Sequence, residues 1–218
     1  MIVTARDFGL IAALCGPVRM LSWEQIRTGC PGFETDTASG RRATLRRLAL
    51  LIERRLLVRQ RLSVRPTLHP TGPLACWSPG DAKCDFDELA KTLAKRWQEA
   101  PVTTSVYRAT RRAVNLFGGV LRQRPAPSYQ ASHDLGLSSV YLHYLRKRPK
   151  EVLLWKGEDE LPRKREFSSG RKRPDAVLCE GKRVIRAIEF AAAYPADRLC
   201  EFHDDCAGQT PPLLYEIW

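Results

Sequence analysis

The stretch that decides the fold reads SGRRATLRRLALLIERRLLVRQRLSVRPTL and runs from Ser39 to Leu68. Its first half predicts a helix from about Ser39 to Leu56, because apolar residues recur there on one helical stripe. The stripe consists of Leu45, Leu48, Ile52 and Leu56. The opposite face carries Ser39, Ala43, Arg46 and Arg47. We therefore expect one face of this helix to pack against a core and the other to remain exposed.

The second half of the same stretch predicts a β-hairpin. Residues Leu57 to Ser63 alternate as a strand does, and Val64 to Leu68 is expected to return antiparallel to them. The sequence His69-Pro70-Thr71-Gly72 then breaks the regular structure. A basic hairpin directly after a helix is thus expected.

Two shorter helices are predicted upstream. Thr4 is a suitable cap for a helix that ends near Cys15, before Gly16-Pro17. Ser22, three residues before Gln25, has the spacing of a capping box and begins a second helix. Three helices followed by a hairpin predict a winged helix-turn-helix over residues 1–73.

In a winged helix the third helix enters the major groove, and the hairpin contacts flanking phosphates. The predicted DNA-binding residues are Ser39, Arg41, Arg42, Arg46 and Arg47 on the helix, and Arg59, Arg61 and Arg65 on the wing. The alternative is a helical bundle whose arginines are only solvated.

The distribution of charge favours a polyanionic partner. The net charge is +12, and residues 1–75 hold twelve basic and five acidic residues, which gives +7. All twelve basic residues are arginine, whose planar guanidinium suits phosphate oxygens and guanine edges. Residues 132–218 hold fifteen basic and fourteen acidic residues and are nearly neutral. Double-stranded DNA is therefore the expected partner of the N-terminal part.

Other features exclude several protein classes. Apolar runs such as Leu48 to Ile52 are far shorter than the roughly 18 residues of a membrane span. The N-terminal residues predict no secretory signal. Seven irregularly spaced cysteines are typical of reduced thiols rather than of a disulfide framework. The expected location is the cytoplasm, with no membrane association.

Residues 74–131 are predicted to be a helical connector. One amphipathic helix is expected from about Phe86 to Gln98, and a second near Val106 to Leu116. We interpret this part as a spacer or a dimer surface, which leaves a homodimer open.

The last part, residues 132–218, predicts the element order α-β-β-β-α-β. Its central hairpin is formed by Asp175 to Cys179 and Val184 to Phe190, which flank Glu180-Gly181-Lys182. The other predicted elements are a helix from Ser132 to about Arg146, a strand at Val152 to Trp155, a helix from about Pro195 to Cys206 and a strand at Leu213 to Trp218. The fold class is α+β or α/β.

This order, with Pro174-Asp175 opening one strand and Glu189 near the end of the next, resembles the core of the PD-(D/E)XK nuclease superfamily. With the N-terminal winged helix and the phrases His133-Asp134-Leu135 and Arg173-Pro174-Asp175-Ala176, the whole chain resembles the plasmid replication-relaxation family. The resemblance implies DNA transactions of plasmids or mobile elements. Members of that family need not cut DNA.

An active nuclease site would need two carboxylates to hold Mg²⁺ and a lysine to activate water. Asp175 and Glu189 are the candidate catalytic and metal-binding residues, but Ala191 occupies the position of the lysine. Lys182 lies seven residues from Glu189, or about 23 Å at ~3.3 Å per residue. Glu158 would be a third carboxylate or a surface acid, and Lys156 beside it would be a substitute lysine. We predict a catalytically degenerate domain that needs no cofactor, with Mg²⁺ required only by an active nuclease.

Cys200, His203 and Cys206 recur every third residue of the last helix, which suggests a zinc site. Positions i, i+3 and i+6 rotate through about 200°, so three such side chains do not converge on one ion. A partly buried structural helix is the preferred interpretation.

Three functions follow from these patterns. The leading hypothesis is a DNA-binding protein in replication, mobilisation or regulation of a plasmid or mobile element. The second is a Mg²⁺-dependent endonuclease that the winged helix directs to its target. The third is an interaction protein that docks a relaxase or replication protein.

Overall fold

The computed structural model describes residues 3–96, 98–120, 128–161 and 173–218. The protein is a mixed α+β structure in which the helices, in chain order, are α1 (Ala5–Cys15), α2 (Trp23–Gly29), α3 (Ala38–Glu53), α4 (Phe86–Arg96), α5 (Arg111–Phe117), α6 (Ser128–Lys147) and α7 (Ala196–Ala207). The strands are β1 (Leu21–Ser22), β2 (Leu57–Val64), β3 (Ala75–Trp77), β4 (Val102–Ala109), β5 (Trp155–Gly157), β6 (Ala176–Glu180), β7 (Arg183–Glu189) and β8 (Leu214–Ile217).

The chain forms two compact units. The first comprises Met1–His69 and Pro101–Lys147, and the second comprises Pro70–Ala100 and Arg148–Trp218. This division differs from the predicted boundaries of 1–73, 74–131 and 132–218, because each unit takes residues from both sides of the supposed connector.

The first unit contains a three-stranded antiparallel sheet in the order β1-β4-β2. Strand β2 pairs with β4 over its full length, from Leu57 opposite Ala109 to Val64 opposite Val102. The predicted return strand at Val64 to Leu68 is therefore wrong. Its place is taken by β4, which lies beyond an insertion belonging to the second unit.

The prediction of a connector was wrong for the same reason. The helix expected from Val106 to Leu116 is instead the end of β4 followed by α5. Val106 and Tyr107 point to opposite faces of the sheet, and both are buried. Because these two buried residues are adjacent, the strand lacks the strict alternation of a half-buried strand, and its periodicity did not reveal it. The helix predicted from Phe86 to Gln98 is confirmed as α4.

Thr4 and Ser22 are the N-cap residues of α1 and α2, as predicted. The Asp7 carboxylate accepts a hydrogen bond from the Thr4 backbone N–H at 2.7 Å. Ser22 and Gln25 form a reciprocal capping box, with distances of 2.9 and 3.1 Å. The amide nitrogen of Gln25 also donates to the Leu135 carbonyl at 2.6 Å, which attaches α2 to α6.

Helix α3 packs through a different stripe from the predicted one. Thr44, Leu48 and Leu51 are buried, whereas Leu45 is 43% exposed. The Thr37 side chain caps the helix by accepting from the Gly40 N–H. The helix ends at Glu53 rather than Leu56, because Arg55 has a φ of 56° and turns the chain into β2.

The second unit is built on a five-stranded sheet in the order β3-β8-β7-β6-β5. Strands β7 and β8 are parallel, and the other neighbours are antiparallel. Helices α4 and α7 pack together in this unit, and aromatic side chains fill its core. The core includes Trp77, Phe86, Phe202 and Tyr215.

The predicted order of elements after residue 132 is confirmed, with three corrections, the first of which is that the helix expected from Ser132 begins at Ser128. Residues Val152–Leu154 form a 3₁₀ turn, and the strand begins only at Trp155. Helix α6 belongs to the first unit rather than to the sheet that follows it. The hairpin turn is where it was expected, and Gly181 adopts a φ of 61° between β6 and β7. No helix in the described residues has the length and apolarity that a membrane span requires.

Candidate functional site

The outward face of α3 carries arginine. Ser39, Arg42 and Arg46 are exposed and follow the spacing i, i+3, i+7, opposite the buried Thr44, Leu48 and Leu51. Arg41 is also exposed, at the N-terminal end of the helix. The structure thus exposes four of the five residues predicted for the recognition helix.

Arg47 does not belong to this exposed set. Its guanidinium lies against α1, where Nε donates to Asp7 Oδ1 at 2.8 Å and a second hydrogen bond joins Nη2 to Oδ2. Burial disfavours the ionised form of Asp7, but hydrogen bonds from Arg47 and Thr4 outweigh it and lower the pKa of this carboxyl to about 2. The prediction that Arg47 faces DNA is therefore wrong, because its charge is engaged in a buried ion pair.

Two of the three predicted wing arginines lie on the same face of β2. Arg59 and Arg61 are exposed, and Arg59 stands opposite the buried Tyr107 of β4. Arg65 follows the end of β2 and is half-buried, with its backbone N–H donating to Ser132 Oγ at 2.9 Å. Arg65 therefore does not lie on a return strand as predicted.

Sequence reasoning missed a second group of arginines in the first unit. Arg54 and Arg55 are exposed at the end of α3, and Arg111 and Arg112 are exposed at the start of α5. The chain brings the two pairs together, because the Thr110 N–H donates to the Leu56 carbonyl at 3.1 Å. Arg111 and Arg112 lie in the predicted connector. Without the pairing of β2 with β4, the sequence did not show that they lie near Arg54 and Arg55.

Asp175 and Glu189, the candidate metal ligands, are brought together in the second unit. Asp175 directly precedes β6, and Glu189 is the last residue of β7, one step beyond the pair Ala176 and Ile188. The Asp175 N–H donates to Glu189 Oε2 at 3.3 Å, while Asp175 Oδ2 accepts from the Phe190 N–H at 2.8 Å. Each carboxylate thus binds the backbone of the other strand.

Tyr194 and Arg198 complete this arrangement. The Tyr194 hydroxyl donates to Glu189 Oε1 at 2.9 Å, and the Arg198 guanidinium lies 3.9 Å from the centre of the Tyr194 ring. Burial, followed by the charges of Glu189 and Asp175, raises the pKa of Tyr194, so its hydroxyl remains a proton donor. Both oxygens of Glu189 therefore accept hydrogen bonds from the protein.

The protein itself engages most of this carboxylate pair, since three of its four oxygens accept N–H or O–H donors. Ala191, at the lysine position, is buried, and its N–H donates to the Trp218 carbonyl. Among the described residues, no three His, Cys, Asp or Glu side chains form a group that could hold a metal.

The two remaining candidates are placed differently. The Glu158 backbone N–H donates to the Asp175 carbonyl at 2.9 Å, which brings Glu158 beside the carboxylate pair. Lys156 Nζ instead lies 3.4 Å from the Gly181 carbonyl, at the other end of β6 from Asp175. The prediction that Lys156 could substitute for the catalytic lysine is therefore wrong.

Cys200, His203 and Cys206 diverge along α7, as their spacing predicted. Cys200 Sγ contacts Lys83 Nζ at 2.9 Å, and His203 Nδ1 lies 3.0 Å from the Tyr215 hydroxyl. Burial and the nearby charge of Lys83 lower the pKa of His203, which sits among aromatic rings, and Cys206 is part of the core. These residues serve the packing of α7.

Comparison of the chain with models of protein families finds no match, and searches of curated proteins and of solved structures find none either. Charge, exposure and hydrogen-bond geometry are thus the basis for inferring function.

Proposed function

We propose that the chain is a DNA-binding protein whose first unit contacts duplex DNA through α3 and β2. The observation that carries this proposal is the exposed arginine face of α3, which has Ser39, Arg42 and Arg46 along its centre. The buried stripe of the same helix fixes that face outward. A helix so presented has the form that a major groove accepts.

The topology of the first unit supports the proposal. Its elements follow the order α1-β1-α2-α3-β2-β4-α5-α6, and the sheet order β1-β4-β2 is compatible with a winged helix-turn-helix. In that fold α3 is the recognition helix and β2 with β4 forms the wing. The insertion between β2 and β4 replaces the wing tip with chain that enters the second unit.

The placement of charge on α3 also favours an anionic partner. Arg41 and Arg42 lie near the positive N-terminal end of the helix dipole, and the first turn contains no acidic residue. Arg42 and Arg46 are four residues apart, a spacing at which like charges cost about 0.2–0.5 kcal/mol. DNA phosphates would offset both the dipole repulsion and the repulsion between the two arginines. A helix that only faced water would have the same repulsions with no compensating contact.

The contacts divide by position. Arg42 and Arg46, opposite the buried stripe, contact base edges, and Arg59 and Arg61 on β2 contact the phosphate backbone. Arg54, Arg55, Arg111 and Arg112 add positive charge around the turn between α3 and β2.

The host process that we propose is replication, mobilisation or regulation of a plasmid or mobile element, in the cytoplasm. Its support is the resemblance of the whole chain to the replication-relaxation family. All seven cysteines are free, as expected of a protein in a reducing compartment.

The second unit is proposed to be a PD-(D/E)XK-like scaffold that docks a relaxase or replication protein. Strands β5, β6 and β7 run antiparallel and β8 joins β7 in parallel, an arrangement that suits such a core. The bonds that engage Asp175 and Glu189 favour a structural role for both over the endonuclease alternative.

Fluorescence anisotropy with a labelled duplex tests the proposal. The variant Arg42→Gln/Arg46→Gln should bind at least about tenfold more weakly than the unaltered protein, because each base contact contributes about 1–3 kcal/mol. The matched control is Lys91→Gln/Lys95→Gln on α4, which removes the same charge from exposed positions of the second unit. If the control loses as much affinity as the α3 variant, the interface is not on α3.

A further inference from the structure

An apolar cavity of about 600 Å³ lies within the first unit, between α1, the loop after α2, and α6. Helix α1 contributes one wall, with Gly9 at its middle, and α6 contributes the facing wall. The side chains from α6 are Tyr141, Leu142 and Leu145. This volume lies within the range of ligand sites, about 300–1,000 Å³, and the apolar lining is also typical of them.

Gly9 has no structural reason to be glycine. It lies in the interior of α1, where glycine is less favourable than alanine. A Cβ atom built at Gly9 would meet no atom within 4 Å, so neither close packing nor a neighbouring backbone requires its absence. Gly9 is exposed and lines the cavity, so a larger side chain at this position has open space beside the cavity to extend into.

Charge at the rim indicates what the cavity would take. Among the described residues that line it, Arg6 is the only charged one. Its guanidinium donates to the Gly32 carbonyl at 3.2 Å and lies 5.1 Å from the centre of the Phe33 ring, contacts that hold it at the rim. Cys30, also in the lining, is a neutral thiol, because burial and then Glu34 raise its pKa to about 12.

We propose that this cavity binds a small molecule with an apolar body and a single anionic group, such as an aromatic or aliphatic carboxylate. The apolar body occupies the space between α1 and α6, and Arg6 binds the anionic end. The site goes beyond DNA binding, since no residue of its lining is among those proposed to contact DNA.

A second copy of the chain is the competing occupant. A protomer docking on this face would have to place an apolar side chain beside an uncompensated acidic group at Arg6. Of the exposed large apolar residues in the described chain, only Phe8 has an acidic residue next to it in the sequence, and that residue, Asp7, is buried in the bridge to Arg47. The others are Leu45, Val58, Leu74, Val102, Leu116 and Leu153. A free anionic molecule therefore fits the cavity better.

The probe for the test is 8-anilinonaphthalene-1-sulfonate, an apolar aromatic anion whose fluorescence rises in apolar sites. It is titrated into the full chain and into Gly9→Leu, which fills the cavity, and Arg6→Gln, which removes the charge. Gly9→Ala and Arg112→Gln are the matched controls, and N-phenyl-1-naphthylamine is the uncharged counterpart of the probe. Thermal unfolding of each variant verifies that it is folded.

The expected result is saturable binding that Gly9→Leu abolishes and that both controls retain. Arg6→Gln should weaken binding of the anionic probe about fivefold, which is the contribution of an exposed ion pair. It should leave the affinity for the neutral probe unchanged. Equal affinity of the anionic probe for the unaltered protein, Gly9→Leu and Arg6→Gln would overturn the proposal. If Gly9→Leu does not fold, Arg6→Gln with the two probes decides alone. A concentration-dependent dimer that the probe does not dissociate, but that Gly9→Leu does, would instead assign the cavity to a second copy and also overturn the proposal.

Discussion

Asp7 on α1 and Arg47 on α3 form an ion pair across the first unit, with Arg47 Nε 2.8 Å from Asp7 Oδ1. The Asp7 side chain is fully buried, and that of Arg47 is only 16% exposed. The pair and the buried stripe of Thr44, Leu48 and Leu51 together set the rotation of α3 about its axis. Of the two adjacent arginines, Arg47 is thereby held inward and Arg46 is left exposed.

Removal of Arg47 should destabilise the protein strongly. Arg47→Ala leaves the Asp7 carboxylate buried without its cation, and breaking a buried pair in this way costs about 3–5 kcal/mol. Arg46→Ala is the matched control and should change the free energy of unfolding by less than about 0.5 kcal/mol. Urea unfolding of the three proteins measures both. Similar values for the two variants would show that the pair contributes little.

The same pair should make stability depend on pH in the acid range. The folded-state pKa of Asp7 is about 2, below its ordinary value of 3.8, so its contribution is complete above about pH 5 and declines as the pH falls towards 2. The stability difference between the unaltered protein and Asp7→Asn should therefore narrow by about 2 kcal/mol between pH 5 and pH 2. Unfolding curves at several pH values check this, and a constant difference would contradict it.

Two arginines of the proposed interface should behave differently on specific and random DNA. Arg46→Ala should cost about 1–3 kcal/mol on the preferred sequence and relax specificity, because it faces base edges. Arg61→Ala should weaken binding to all sequences alike and lower the magnitude of the slope of log affinity against log salt by about 1. Anisotropy titrations from about 50 to 200 mM salt separate the two. Identical behaviour of both variants would show that α3 is not the recognition helix.

The carboxylate pair of the second unit should prove structural. Asp175→Ala leaves the buried Phe190 N–H without its acceptor, which costs about 1–3 kcal/mol of stability. Tyr194→Phe removes a donor to Glu189 and should destabilise by a similar amount. Neither change should alter DNA affinity, and plasmid incubated with Mg²⁺ or Mn²⁺ should stay intact. Cleavage that Asp175→Ala abolishes would establish the endonuclease instead.

Two helical glycines should respond oppositely to alanine. Gly9→Ala should stabilise the protein by about 1 kcal/mol, because its Cβ meets no atom and alanine favours helix. Gly40→Ala should destabilise it, because a Cβ there would lie 1.9 Å from Thr35 Oγ1. Thermal unfolding measures whether each variant is more or less stable than the unaltered protein. A loss of stability in Gly9→Ala would mean that the space beside Gly9 is not open.

The sequence by itself determined the features that depend on hydrogen bonds between near neighbours. Ser22 and Gln25 lie three positions apart, so spacing alone predicted their capping box, and the residue type of Thr4 predicted its N-cap position. The turn at Gly181 and the order of elements from α6 to β8 were predictable for the same reason, since local residues set the turn and the strands are apolar and continuous. The adjacency of Asp175 and Glu189 followed from that hairpin.

Only the tertiary structure decided the features that join distant parts of the chain. The pairing of β2 with β4 crosses an insertion. Arg47 bonds to Asp7, 40 positions away, and no helical period distinguishes Arg47 from its neighbour Arg46. Likewise, the donors that engage Asp175 and Glu189 include backbone groups whose directions depend on strand register. Long-range packing chooses among local patterns of similar energy, and this choice separates the arginines that face solvent from the one that holds the fold together.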